Sequence, residues 1–415
     1  MKQAVRWAVC VAAIAAGALA CQEHLTSPGQ CPELCPGGEP TVFDTVLTPV
    51  PGSDESVSGY VSRGGGVTLL TSNGLPASED RAVYRIASRL DSITVRDTAR
   101  AYSVDSVSLA VTIVARDTLV NGLKIFLYRL PADISVDTAT FAGIDPQLAP
   151  AALIDSILVP DSVNTGQVST MLRGADVDRV ALPVGTGGVL AIGVKISADS
   201  PTGVRLGSIA GNNAATFNTF VTVAVPDTTT SIVHQQLSRS AQFNTFVTQT
   251  PYTAAPGTLL IGGEPSSRAF IRFKLPSRIK DSATVVRATL ELLPVAPILG
   301  LPTDRPILES RAVLSDLGPK SPLTEQASLI SQDTLILGST DTVRLEITRV
   351  IQLWQASDER PEEVALRLGG PAVPGAIAEG ATFTRTLFGS TDPASPVGPP
   401  RLRITYLLAF PFENP

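Results

Sequence analysis

The sequence predicts an all-β, antiparallel fold in two tandem modules, and three observations carry that reading. Apolar residues recur with a period of two: Val107, Leu109, Val111 and Ile113 alternate with smaller or polar neighbours. Val343, Leu345 and Ile347 alternate with Arg344, Glu346 and Thr348, and Leu402, Ile404 and Tyr406 alternate with Arg401, Arg403 and Thr405. Such runs are strands with one face in a core and one toward solvent. Pro, Gly, Asp and Ser clusters separate the runs, and many begin on an Asp-Thr pair, in which Asp closes a turn and β-branched Thr opens an extended segment. Finally, the two halves of the chain resemble each other at a spacing near 185 residues. Helical spacing is convincing once, at Ile347, Val350, Ile351 and Trp354, and weaker from Leu148 to Leu158, so the expected helices are short crossovers between strands.

The first twenty residues read as an export signal rather than as part of the fold. Lys2 and Arg6 form a positive start, and the apolar stretch from Ala8 to Leu19 is too short to span a bilayer stably. It ends in the small-residue pattern Ala18-Leu19-Ala20, which places cleavage before Cys21. The string GALAC resembles the lipobox of bacterial lipoproteins, whose cysteine is lipidated, and it also satisfies an ordinary signal peptidase site. Cleavage removes Cys10 and leaves an odd set, Cys21, Cys31 and Cys35. With Cys21 carrying lipid, Cys31 and Cys35 can close a small disulfide in an oxidising compartment; the rival is a metal site using His24, Cys31 and Cys35. Residues 21–40, with Pro28, Pro32, Pro36 and Pro40 and no periodic apolar pattern, form a tether.

Beyond the tether, four anchors in matching order define the repeat. Arg81-Ala82-Val83-Tyr84-Arg85-Ile86 faces Arg268-Ala269-Phe270-Ile271-Arg272-Phe273. Tyr60-Val61 faces Phe246-Val247, Thr68-Leu69-Leu70 faces Thr258-Leu259-Leu260, and Gly207-Ser208 faces Gly389-Ser390. The modules are expected at 41–226 and 241–412, joined by a polar linker over 227–240. Residues 241–415 are long enough to bury a core and are expected to fold alone.

The second module resembles the DNRLRE domain of bacterial surface proteins. The resemblance is carried by NTFV at 244–247, TLLIGG at 258–263, the run from Arg268 to Leu292, the VRLEIT strand leading to Trp354, and the closing PRLRITY ending at Tyr406. The first module follows as a divergent repeat. The resemblance implies jelly-roll-like β-sandwiches on secreted and envelope proteins, with some relatives serving as carbohydrate-binding modules.

Composition and motifs bound the chemistry. Of 415 residues, 44% are hydrophobic and only 17% charged, enough apolar content for more than one core. A net charge of −6 leaves no basic field for phosphates, so nucleic acid is not an expected partner. There is no HExxH, GxSxG, phosphate-binding glycine loop or CxxC. Ser277-Arg278-Ile279-Lys280 spells SxxK without its partner motifs and reads as a turn after a strand, and His234 reads as a solvated linker residue.

Arg268 and Arg272 alternate outward from a strand, either to hold a carboxylate or sulfate or to keep strand edges from pairing with other chains. Trp354 belongs to the helical stripe and reads as core rather than as a sugar platform. No catalytic residue is assigned. Paired carboxylates for glycoside cleavage need no motif, and acidic turns at Asp54-Glu55 and from Asp155 to Asp161 could bind calcium, although no EF-hand spacing is present. The expectation is therefore an outer-membrane lipoprotein with a structural or binding role. Its partners would be the membrane, through the lipid, and surface polysaccharide or other envelope proteins.

Cys21→Ser is expected to move the protein from the membrane to the soluble fraction. Mass spectrometry of the mature N-terminus would show a lipidated Cys21, and an unmodified cysteine there would remove the anchor.

Overall fold

The computed structural model describes residues 41–58, 67–75, 79–87, 90–134, 139–181, 189–225, 232–249, 254–263, 266–302, 304–357, 362–370 and 382–408. The expected signal and tether, with Cys21, His24, Cys31 and Cys35, lie outside them. No described helix is long and apolar enough to cross a membrane.

The chain enters through two short strands, β1 (Val42–Leu47) and β2 (Glu55–Ser58). The first sandwich begins with β3 (Thr68–Asn73), β4 (Asp80–Ala87), a hairpin of β5 (Ile93–Val95) and β6 (Thr98–Arg100), and β7 (Ser103–Arg116). It continues through β8 (Lys124–Leu130), the one-turn α1 (Phe141–Ile144), β9 (Leu153–Leu158), β10 (Gly166–Arg173), β11 (Val189–Ser197), β12 (Thr202–Gly207), β13 (Thr216–Ala224) and the long β14 (Ile232–Thr248).

The second sandwich runs β15 (Thr258–Gly262), β16 (Ser267–Lys274), α2 (Ser277–Ser282), β17 (Ala283–Leu292), β18 (Ile307–Ala312), β19 (Ile330–Thr334) and β20 (Val343–Glu346). It ends with α3 (Thr348–Ala356), β21 (Glu363–Gly369), β22 (Arg385–Gly389) and β23 (Arg401–Leu408).

The two units share most of one pairing scheme, although β12 with β7 has no counterpart in the second and β15 with β16 none in the first. In the first, β3 pairs β12, β7 pairs β10, β12 and β13, and β11 lies between β4 and β8, with β9 beyond β8. In the second, β15 pairs β22, β17 pairs β20 and β23, and β21 lies between β16 and β18, with β19 beyond β18. Even the register of the anchors agrees, since Thr68 faces Gly207 as Thr258 faces Gly389. The repeated glycines have a steric cause: a Cβ on Gly207 would strike the Asn213 carbonyl oxygen, and one on Gly389 that of Gly398.

Alternation places the cores. Val107, Leu109, Val111 and Ile113 of β7 face Ala82, Tyr84 and Ile86 of β4, and the buried Tyr84 hydroxyl donates to the Gly207 carbonyl at 2.8 Å. In the second core, Ala269, Ile271 and Phe273 meet Ala288, Leu290, Leu402 and Ile404, while α3 adds Val350, Ile351 and Trp354 at one-turn spacing. Each large side chain fully buried in this way contributes about 1.5–3 kcal/mol.

Three expectations need correction. Residues 148–158 form short 3-10 turns and then β9, because Ile154 and Ile157 are drawn into the core of a sheet paired with β8. Residues 232–240 of the expected linker belong to β14, whose first half pairs β13 and second half pairs β4, closing the first sandwich. Residues 42–58 belong to the second sandwich: β1 pairs β23 and β2 pairs β16. Thus β1 and β2 occupy in the second unit the place that β14 occupies in the first, with Val57 opposite Arg268 as Val247 is opposite Arg81. The leading strand of each repeat closes the other repeat. A fragment 241–415 lacks its own closing strand and carries part of the other one, so it does not correspond to the observed unit.

The units also touch beyond the exchanged strands. Leu301 and Phe383 of the second enter the first core, and Arg205 pairs with Asp304 at 2.6 Å. The Phe383 ring lies 2.6 Å from where a Cβ on Gly203 would sit. Gly203→Ala is therefore expected to cost about 1–3 kcal/mol by overpacking, and combining it with Phe383→Ala is expected to cost less than the sum of the single changes. Strict additivity in denaturant melts would contradict this contact.

Candidate functional site

The outer face of the first sandwich offers an open polar surface across four strands. Strand parity builds it: Phe217, Thr219 and Val221 point inward and are buried, so Asn218, Phe220 and Thr222 point outward. The pairing register sets Arg173 of β10, Ser106 of β7, Phe220 of β13 and Gln236 of β14 in one cross-strand row. The next row is Met171, Ser108, Asn218 and Ser238. Small β7 side chains form the floor, and longer ones rise at the sides. The resulting groove has a volume of about 470 Å³ and is lined by residues including Asp105, Met171, Arg173, Phe220, His234 and Gln236.

One end of the groove is internally organised. Thr222 donates its hydroxyl to Asp105 at 2.5 Å, so its oxygen must accept from His234 Nδ1 at 3.0 Å. In the neutral ring, Nε2 is then an acceptor, and the His234 side chain is 77% exposed. His234 thus stands on a strand rather than in a linker. Arg173, Gln235 and Gln236 make no side-chain hydrogen bond within the described residues. An exposed Met, a half-buried Phe and several uncommitted donors suit a polar ligand with apolar patches.

A larger groove of about 730 Å³ lies between Arg129, Arg179 and the Pro150 to Ile154 segment. Its arginines are turned onto the protein: Arg129 donates to the Arg179 carbonyl at 3.0 Å, and Arg179 donates to that of Ile154 at 3.2 Å and pairs with Asp176 at 3.0 Å.

The candidates read from sequence scatter. Trp354 is 7% exposed and in the second core. Ser277 opens α2 instead of lying in a turn, because Pro276 fixes an extended entry and Ile279 is buried beneath the helix; the Lys280 ammonium stands over the Trp354 ring at 6.0 Å. Arg268 reaches toward the Pro319 carbonyl at 3.5 Å. Asp54 accepts from the Thr391 backbone at 2.6 Å, Asp155 from that of Ser156 at 2.7 Å, and Asp161 from that of Gly122 at 3.2 Å. Among the described residues no group of three or more His, Cys, Asp or Glu is placed to hold a metal. Sequence alone does not single out Asp105, Arg173 or Phe220, because only pairing reveals that they share a face.

Arg272 is no free anion site. It bonds Asp316, Glu55 and the Ser53 carbonyl, while its own carbonyl accepts from Val50 at 2.9 Å. It clamps the entering strand onto the second sandwich. In the first unit Arg81, at the position that Arg268 holds in the second, is 1% exposed, pairs with Glu79 and with Asp145 at 2.7 Å, and stands over Phe141.

No protein-family model matches the chain, and no curated protein matches it.

The clamp carries a pH dependence. The hydrogen bond from Arg272 holds the Asp316 carboxyl below the usual carboxylate range, against burial that opposes it. A carboxylate lowered in the folded state contributes stability above its ordinary pKa of about 4, and that contribution is lost as pH falls through the folded value. Melting temperatures taken from about pH 6 down to about pH 2 are expected to fall more steeply in the native protein than in Arg272→Ala; equal slopes would show that the pair does not contribute.

Proposed function

We propose that the chain is an envelope-anchored, non-catalytic surface protein in which two clasped β-sandwiches play a structural role. The observation that carries this reading is the reciprocal closure: the segment that emerges from the expected lipid-bearing tether is itself built into the second sandwich through β1 and β2. An anchor at Cys21 would therefore hold a folded body close to the membrane, with tension along the tether meeting paired strands instead of a loose linker. The resemblance to DNRLRE domains, which belong to secreted and envelope proteins, supports the same address.

A second reading, carbohydrate binding, is favoured by the open face around Arg173, Phe220 and His234. Hydrogen bonds there would be worth about 0.5–1.5 kcal/mol each in water, and Phe220 and Met171 supply modest apolar contact. Binding on this surface would be weak and polar.

A panel of acidic and neutral glycans, with and without calcium, separates the readings. The structural role predicts neither turnover nor saturable binding. Saturable binding without turnover, weakened by Phe220→Ala and Arg173→Ala, selects the binding module. Turnover abolished by replacing a carboxylate pair would overturn both in favour of a polysaccharide hydrolase.

A further inference from the structure

We propose that the entering segment 42–58 exchanges between copies of this chain, so that β1 and β2 of one molecule close the second sandwich of a neighbour. The inference rests on the structural reading above and names its partner, a second copy.

Three observations lead to it. First, the chain already obeys a rule of donation, because the leading strand of each repeat seats on the other repeat in the same register. The seat on the second sandwich is therefore filled by a segment that does not belong to the contiguous body 254–408, and an identical segment from another molecule satisfies it equally well. Donation running from one copy to the next is a head-to-tail contact that extends instead of closing.

Second, the two closing strands are held very differently. β14 is 17 residues long and buries Ala241, Asn244, Thr245, Phe246 and Val247. β1 and β2 have six and four residues, and within 41–58 only Pro49 is buried. Phe43 and Leu47 pack against the second core only in part, while Val42 and Val46 face outward at 61% and 48% exposure. Few buried apolar contacts mark the part of a fold that opens first.

Third, what holds the segment is polar and directional. The Arg272 clamp, Ser58 to Ser267 at 2.5 Å, the Leu260 N–H to Ser56 at 2.7 Å and Thr405 to Asp44 at 2.6 Å fix register more than they bury area. Phe43 stacks on Tyr406 with centroids 5.6 Å apart, under the Arg278 guanidinium. Such contacts re-form in one register with any copy of the same strand. They also leave the vacated β16 and β23 edges unpaired, which favours recapture of a strand over remaining open. Closure within one chain benefits from an effective concentration on the order of millimolar. Exchange is therefore a property of crowded copies, as on a membrane surface.

The test uses Asp44 and Thr405, which face each other across β1 and β23. Mature chain with Cys21, Cys31 and Cys35 changed to Ser is made as Asp44→Cys, as Thr405→Cys, and as the double variant. The double variant is expected to close a disulfide within one chain, which confirms the geometry and the fold. The two single variants, mixed at about millimolar concentration, warmed mildly and oxidised, are expected to form at least about tenfold more disulfide-linked dimer than either alone, since only exchange brings the two positions together. Adding Arg272→Ala to the Thr405→Cys partner is expected to speed dimer formation. No excess of mixed dimer, with the double variant closing normally, would overturn the proposal, as would failure of the double variant to close. Glycan turnover would remove the structural role without altering the disulfide result, so the two can fail separately.

Discussion

The backbone ladder that seats each closing strand on the opposite repeat is the constraint on which the rest of the molecule depends. A sandwich of nine strands with the tenth missing would expose the β4 or β16 edge on one sheet and the β13 or β23 edge on the other. Unpaired edges are templates for aggregation. In the first unit β14 covers both edges by bending from one sheet to the other, pairing β13 over its first half and β4 over its second. In the second unit β1 and β2 divide the same task. Both repeats are thus complete only in the presence of the other, and the chain is tied across nearly its whole length.

That closure explains where the charge goes. A chain with so few ionised groups could have displayed them on open faces as ligand sites. Instead Arg81, buried against α1, and Arg272, half-buried on the outer face of β16, bond carboxylates and backbone carbonyls, holding α1 and the preceding turn in one unit and the entering strand in the other. Arg81, buried with its partners, would cost several kcal/mol if it were stripped of them. Among the described residues, an exposed polar surface with uncommitted donors lies on the first sandwich, over Ser106, Ser108 and their neighbours, far in sequence from the clamp. The entering segment thus lies on the second unit and the open groove on the first.

Contact between the units adds a second joint. Phe383 lies against a glycine that leaves it room, and Asp304 meets Arg205 at the same boundary. Burial raises the Asp304 carboxyl pKa, with Arg205 and the Leu301 N–H acting against that rise and Asp117 adding to it. A carboxylate raised in the folded state favours folding at low pH and loses that advantage as pH rises through its folded value. Its sign is opposite to that of Asp316, so the boundary between units and the strand clamp respond to acid in opposite directions.

The sequence by itself determined the strand periodicity, the antiparallel class, the α3 stripe ending in Trp354, and the existence of a repeat anchored on Thr68, Arg81 and Gly207. Each of these is written locally: side-chain parity along a strand, one-turn spacing on a helix, or a glycine that a nearby carbonyl forbids replacing. Only the tertiary structure decided which repeat each leading strand closes. Residues 42–58 and 232–248 have the same local character wherever they pair, and the choice between seats depends on register and long-range contacts that no local pattern encodes. For the same reason the open face stayed hidden. Arg173, Phe220 and His234 are ordinary outward residues on three separate strands, and only the ladder that aligns β10, β7, β13 and β14 brings them onto one surface.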